Sequence, residues 1–409
     1  MNANNSNKKS IAYLASEYPG ISHTFIFREI LTLRELGFEV KTASIRKPEN
    51  LDIMTFAEKA DADATLYIKS TSLFKAVGYH LRLLLRSPTD YFAMVRAMVK
   101  YTLNGARIMV KGIGYLAEAG VLLDWMHKKN VDHIHVHFAN PAATVAMIAA
   151  AYGTISYSLS VHGPDVFYNV TPNLLAEKIK KALFVRCISY FCQSQLKRLV
   201  SFQRWSKFQI VRCGINPDIF RPRPEPHNTI PEIVCVGRLV PAKGQHILLD
   251  AFGQLQKRGV KAHLTYVGDG EDRDSLEQAA QNMGISASVT FTGAVGQNDV
   301  HQYYDRADMF VLASFAEGVP VVLMEAMAKE IVAVSTSITG IPELIDNERD
   351  GILVPASDAE GLADRIEQLI KDPALRMELG FQGRQKVKKK YDLDRNCKEM
   401  AALFEKYLS

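Results

Sequence analysis

The chain has 409 residues, 47% of them hydrophobic and 23% charged, with a formal net charge of +5. That apolar content excludes a disordered chain, and the length exceeds one ordinary domain, so two domains of roughly 200 residues are expected. Five cysteines, odd in number and without CxxC spacing, exclude a disulfide framework or a Cys-based zinc site and predict reduced thiols in a cytoplasmic protein.

The polar start MNANNSNKKS leads into an apolar run, IAYLA, that is too short for the core of a signal peptide, so none is expected. Strand-like runs SIAYLA, VKTASI, HIHVHF, YSLSV and FVRCIS then alternate with helical stretches such as FIFREILTLRELG. This alternation predicts a parallel sheet covered by helices. Between Leu66 and Tyr115, Lys69, Lys75, Arg82, Arg86, Arg96, Lys100, Arg107 and Lys111 face only Asp90 and are interleaved with LLL, YFAMV and YTL. Such helices either have solvated charged faces or lie on an anionic membrane surface. The basic balance up to Ile230, twelve Lys and Arg in excess of Asp and Glu, fits the membrane surface. No stretch reads as a span, since AATVAMIAAAYG is short and Ala-rich. HIHVHF sets His133, His135 and His137 on one face of a strand. No neighbouring carboxylate or cysteine completes a metal site, so none is expected. His137, nearest the carboxyl end, is expected to face the ligand crevice.

GINPDIFRPRPEPHNTIP is Pro-rich and polar, and predicts a linker at 219–231 between an N-terminal domain, 1–218, and a C-terminal domain, 232–390. The second domain restarts the alternation with EIVCVG, HLTYVG, SVTFTG, MFVLAS, IVAVST and GILVPA, and from Pro231 onward acids exceed bases by seven. A last helix within 391–409, with Asn396 to Leu408 as its body, is available to pack back on the N-terminal domain. The fold class is α/β: two tandem Rossmann-like, doubly wound domains facing across a crevice, with ligands expected at the carboxyl ends of the strands.

Three junctions carry chemistry. GRLVPAKG puts Arg238 and Lys243 on a Gly-flanked loop, where two cations suit a diphosphate. In AEGVPVVLMEAMAKE, Gly318 and Val319 precede a helix started by Pro320, and helix N-termini attract phosphate. Glu317 and Glu325 flank that anion site. Acids so placed accept hydrogen bonds from sugar hydroxyls, one from each of two sugars of a single ligand, although Glu317 alone would also suit helix-dipole compensation. Neither domain contains GxGxxG, so no dinucleotide redox cofactor is expected. Two DxD triplets, Asp61-Ala62-Asp63 and Asp392-Leu393-Asp394, resemble metal-binding motifs but do not end strands in a nucleotide-binding context.

These residues resemble the retaining glycosyltransferases of the two-Rossmann-domain (GT-B) type, family 4 or group 1. The resemblance runs through HGPD at His162 to Asp165, VRCGINPDIFRPR, VGRLVPAKG, YVGDGEDRDSL, VTFTG, FAEGVPVVLMEAMA, ITGIPELI and DGILVP. SEYPGISHTFIFREI is similar to the colanic-acid and exopolysaccharide branch. The resemblance implies a nucleotide-sugar donor, UDP-sugar favoured over GDP-sugar, a glycan or lipid-linked glycan acceptor, no nucleic acid, and neither metal nor other cofactor. It implies that Glu325 holds ribose hydroxyls, and that Glu317 holds a donor-sugar hydroxyl. Arg238, Lys243, Gly318 and Val319 would bind the diphosphate, and the base would lie near Gly293, Ala294 and Val295. His162, with Asp165 nearby, would come from the first domain to the transferred sugar. Where relatives carry a Gly-Gly loop, this chain has Ser22, His23 and Thr24 as acceptor-side groups, with His137. A sugar-nucleotide epimerase and a silent carbohydrate-binding relative share the fold and stand as alternatives.

Overall fold

Runs such as HIHVH and VAVST are buried at every position, as strands covered on both faces must be. The structure is a computed structural model that describes residues 9–20, 24–49, 54–102, 106–163, 167, 170, 174–223 and 228–408, without the side chains of 102 and 106–108. The chain divides into two units. The first runs β1 (Ser10–Glu17), α1 (Thr24–Glu35), β2 (Glu39–Arg46), α2 (Phe56–Ala64), β3 (Leu66–Tyr67), α3 (Leu73–Arg86), α4 (Pro88–Thr102) and α5 (Ala106–Lys128). It continues with β4 (His133–His137), α6 (Pro141–Ala150), β5 (Ser156–Val161), α7 (Leu175–Lys181), β6 (Val185–Cys187), α8 (Tyr190–Lys197) and β7 (Phe208–Ile210). Its parallel sheet has the order β3-β2-β1-β4-β5-β6-β7.

The second unit runs β8 (Glu232–Val236), α9 (Gln245–Lys257), β9 (His263–Val267), α10 (Arg273–Asn282), β10 (Val289–Phe291), α11 (Val300–Arg306) and β11 (Met309–Leu312). It continues with α12 (Val321–Ala328), β12 (Val332–Thr336), α13 (Ile341–Leu344), β13 (Ile352–Val354), α14 (Ala359–Lys371) and α15 (Pro373–Lys390). The parallel order is β10-β9-β8-β11-β12-β13. In both sheets the strand order reverses beside the first strand, at β1/β4 and at β8/β11. Loops leaving the carboxyl ends there diverge and leave room for a ligand. The eleven runs expected as strands form strands; β3 and β7, two and three residues long at sheet edges, carry too little pattern to be seen in the sequence.

The division between units falls at Val211/Arg212, ahead of the Pro-rich stretch 219–231 expected as the linker. Residues beyond Arg212 fold with the second unit. Ile215 bridges to Asp392, Phe220 is buried, and Arg384 Nη1 donates to the Phe220 carbonyl at 2.8 Å. The final helix, α16 (Leu393–Leu408), is assigned to the first unit from Cys397 onward. There Met400, Ala401 and Phe404 share a core with Ile11, Tyr13, Ile30 and Phe38. All five cysteines are buried, and none forms a disulfide.

Strands β4 and β5 are joined by more than backbone. His133 and His135 alternate with Ser156, Ser158 and Ser160 on the facing strand. His133 Nδ1 is bonded to Ser156 Oγ and its Nε2 to Ser158 Oγ, both at 2.8 Å. His135 Nδ1 is bonded to Ser158 Oγ and its Nε2 to Ser160 Oγ, both at 2.7 Å. A neutral imidazole offers one donor and one acceptor, and a hydroxyl can serve the rings on either side of it, so the ladder needs no charge. Burial accordingly pushes the His133 pKa down to about 3 and holds those of His135, His137 and His162 below the usual histidine range.

Because these pKa values are depressed, the unfolded chain takes up protons below about pH 6.5 that the fold excludes, and stability falls with acid by about 1.4 kcal/mol per pH unit for each histidine. The melting temperature is expected to drop steeply between about pH 7 and pH 5, and less steeply in His135→Gln. A flat profile over that window would rule out a buried neutral ladder.

Candidate functional site

In the second unit the chain leaves the carboxyl edge of the sheet twice beside the reversal point, after β8 and after β11. The first loop ends at Gly244, whose φ of +60° and close approach to Ala313 leave no room for a side chain, since a Cβ would stand 2.2 Å from the Ala313 oxygen. The two loops are stitched together where the Phe315 and Ala316 amides donate to the Ala242 carbonyl at 2.9 and 3.3 Å. That contact brings Lys243 Nζ within 2.5 Å of Glu317 Oε1, and Ser314 Oγ donates to the same oxygen at 2.8 Å. Glu317 is buried and Lys243 half-buried. Gln245 Nε2 donates to the Arg238 carbonyl at 2.8 Å, fixing the backbone, while Arg238 itself is exposed.

Pro320 caps α12, which begins at Val321. Gly318 and Val319 therefore lie in the turn ahead of the helix, where Pro320 was expected to be the first helical residue. The turn is held from behind: Thr339 Oγ1 donates to the Glu317 carbonyl, and Gly340 comes so close to Gly318 that a Cβ would meet its oxygen at 2.3 Å. Glu325, in the second turn of α12, is buried and accepts from the Tyr304 hydroxyl of α11 at 3.0 Å. Gly293, at φ +76°, bridges to Gly268 beyond β10, with Ala294 exposed and Val295 half-buried after it. The sheet thus collects Arg238, Lys243, Glu317, the Gly318–Val319 turn and Glu325 on adjoining segments. Lys243 is neutralised by Glu317, and an anion arriving at Arg238 and the turn competes with Glu317 for it.

In the first unit, the Ser156–Ser158–Ser160 series continues in period two to His162 just beyond β5. The His162 ring stacks on His137 with centroids 5.0 Å apart, and His137 Nδ1 is bonded to His162 Nε2 at 2.9 Å. Phe25 and Phe138 stand 4.8 and 5.0 Å from the same ring. Phe138 adopts φ +66°, an unusual conformation for a bulky residue, directly after β4. His137, expected to face the crevice, is instead fully buried and backs His162. Its Nε2 lies 3.5 Å from Glu29 Oε1, a distance of electrostatic attraction more than of hydrogen bonding. Glu29 also accepts from Tyr13 at 2.9 Å and pairs with Arg186. Burial alone would raise the Glu29 pKa, but Arg186, with His137, holds it well below the usual carboxylate range. Thr24 opens α1 and is half-buried; Ser22, His23 and Asp165 lie outside the described residues.

The donor atoms of Glu29, His135 and His137 lie within 4.8 Å of one another. The expectation that no carboxylate accompanies the histidines is corrected here, because α1 delivers Glu29 from far away in sequence. Arg186 already occupies that carboxylate, and both nitrogens of His135 are spent on serines, so the cluster's chemistry is that of a hydrogen-bonded network. Of the DxD triplets, Asp61 accepts from Tyr18 and Arg34, and Asp392 accepts from the Arg395 amide at the start of α16. Sequence reasoning missed Glu29, Arg186, Ser314 and Tyr304. Glu29 had a signal, a charge on the same helix face as the apolar residues Ile26, Ile30 and Leu33.

Removing one member of a buried pair leaves an uncompensated charge. Arg186→Met is expected to cost about 3–5 kcal/mol in urea unfolding, and the double variant Arg186→Met/Glu29→Leu to recover most of it. Additive losses would show that the pair is not coupled.

Residues 218–386 match the family described as glycosyl transferases group 1. The protein named colanic acid biosynthesis glycosyltransferase WcaL of Escherichia coli (strain K12) is 26% identical over 380 residues, covering 87% of this chain and 89% of its own. The structure of sucrose-phosphate synthase from Thermosynechococcus elongatus superposes with a TM-score of 0.77 at 18% identity, covering 98% of this chain and 99% of that one. Anabaena HepE in complex with UDP-glucose does so with a TM-score of 0.74 at 17% identity, covering 97% and 99%. The two parallel sheets with their reversal points are the GT-B fold, and within it residues 218–386 match the group 1 glycosyltransferases.

Proposed function

We propose that this glycosyltransferase moves a sugar from a nucleotide-sugar, a UDP-sugar before a GDP-sugar, to a polysaccharide precursor or lipid-linked glycan, retaining the anomeric configuration and needing no metal. The observation that carries the reading is the meeting of Lys243, Glu317 and the Gly318–Val319 turn at the reversal point of the second sheet, with Arg238 open beside them. The UDP-glucose complex of a protein with the same fold supports the donor class. The name of the E. coli relative supports an acceptor in cell-surface polysaccharide synthesis.

In this reading Arg238, Lys243 and the turn amides bind the diphosphate, Glu325 the ribose, the 293–295 segment the base, and Glu317 a hydroxyl of the donor sugar. His162 and Asp165 of the first unit serve the transferred sugar; Ser22, His23 and Thr24 serve the acceptor. As the bond from the anomeric carbon to the diphosphate breaks, its electrons stay on the leaving oxygen, where fixed cations and amides stabilise them. The acceptor oxygen attacks on the same face, and its proton passes to the leaving phosphate oxygen. Glu317 Oε1 is already engaged by Lys243 and Ser314, which disfavours it as a covalent nucleophile. The reaction is assigned to the cytoplasmic side of the cell membrane.

Incubation with UDP-sugars followed by mass spectrometry is expected to yield a new glycoside, or UDP and free sugar by slow hydrolysis. An isomerised sugar nucleotide would identify an epimerase instead, and an unchanged donor bound without turnover a silent binder. Glu325→Ala is expected to weaken nucleotide binding at least about tenfold, as the loss of charge-assisted hydrogen bonds requires. His162→Ala is expected to lower kcat with little change in donor affinity; unchanged turnover would remove His162 from the reaction.

A further inference from the structure

A helix on the surface of a folded domain ordinarily turns its apolar side inward. Helix α3 does not. Its buried residues are Ala76 and Leu83, whereas Phe74, Val77, Leu81 and Leu85, spaced by three and four residues, form one stripe facing outward. Phe74 is 92% exposed, Leu85 75% and Val77 60%. Each of three stripe residues is followed directly by a cation: Lys75 after Phe74, Arg82 after Leu81, and Arg86 after Leu85. Successive residues are about 100° apart around a helix, so these cations form a row along one flank of the stripe. The helices packed with α3 extend the pattern. Phe92 is exposed on α4, and Val110 and Ile113 on α5.

The charges are as informative as the apolar groups. Arg82 pairs with the buried Asp124, but Lys75, Arg86, Arg96, Lys100 and Lys111 are exposed and form no ion pair among the described residues. Asp90, the one acid on α3 and α4, is turned back to accept from Ser87. No helix among the described residues is long and apolar enough to cross a membrane. An outward apolar stripe lined by cations, of which Lys75 and Arg86 form no ion pair among the described residues, matches a surface that is apolar within and negative at its edge.

We propose that α3, with its neighbours α4 and α5, docks the first unit on an anionic lipid surface, the stripe entering the acyl boundary and the cations meeting the headgroup charge. A second copy of the chain would leave the cations facing one another. This inference is independent of the donor assignment, which concerns the other unit.

Full-length protein is to be sedimented with vesicles of phosphatidylcholine alone and of phosphatidylcholine with phosphatidylglycerol, at low and high salt. The expected result is binding only to the anionic vesicles, reversed by salt. It should be weakened at least about tenfold both in Lys75→Glu/Arg86→Glu/Arg96→Glu and in Phe74→Ser/Leu81→Ser/Leu85→Ser. All these positions are exposed, so both variants should melt within a few degrees of the wild type, and slow donor hydrolysis in solution should be unchanged. The proposal is overturned by absent binding, by binding that ignores lipid charge, or by binding that survives the serine variant. It is equally overturned if size-exclusion chromatography shows a dimer that the serine variant dissociates.

Discussion

The ion pair between Lys243 and Glu317 is the contact on which the arrangement of the second unit's carboxyl-edge loops depends. It joins the loop after β8 to the loop after β11, the two segments that a reversed strand order would otherwise splay apart. A lysine and a glutamate so largely removed from water stabilise each other only because geometry is good and Ser314 adds a further hydrogen bond. The pair therefore holds the two loops together. In the proposed donor complex, a diphosphate would have to offer Lys243 a better partner, and a sugar hydroxyl would have to give Glu317 a donor in exchange. That double requirement would select for a molecule carrying both groups. Gly244 and Gly340 permit the arrangement, because each sits where another backbone leaves no space for a side chain.

The first unit solves a different problem, that of holding a histidine ring neutral and immobile at the end of a strand. The β4–β5 ladder satisfies imidazole with hydroxyl, rung by rung, until at the last rung the facing residue is another imidazole, His162. Behind it stand His137, Glu29, Arg186 and Tyr13, drawn from β4, α1, β6 and β1. Such a network is costly if any member is missing and rigid when complete. Neutrality leaves His162 able to hydrogen-bond without bringing a charge to the end of the strand.

Much of this was legible in the sequence, and the remainder was not for physical reasons. Short apolar, β-rich runs announced eleven strands, and their restart after Pro231 announced the second sheet. The GRLVPAKG and AEGVPVVLMEAMAKE junctions were read as one anion site, and the fold brings the two loops together at Lys243 and Glu317. HIHVH and SYSLSVH both alternate, yet only the register between them reveals that they bond to each other. Glu29 and Arg186 are 157 positions apart, and no local pattern relates them. The Pro-rich stretch 219–231 was read as the linker from its composition, whereas the contacts divide the units at Val211/Arg212, and Phe220 within that stretch is buried and held by Arg384 of the second unit. In α3 the composition was visible but its orientation was not, since the same amphipathic pattern serves an inward or an outward apolar face.

The exchange of partners at Lys243 is tested most directly by titrating UDP calorimetrically into the wild type, Lys243→Ala and Glu317→Gln. Loss of Lys243 should weaken UDP binding at least about tenfold, the scale of a charge-assisted contact. Glu317→Gln releases Lys243 and should leave UDP affinity unchanged or raised, while erasing any advantage of a UDP-sugar over UDP. If Glu317→Gln instead weakens UDP as much as Lys243→Ala does, Lys243 and Glu317 do not exchange partners when the donor binds.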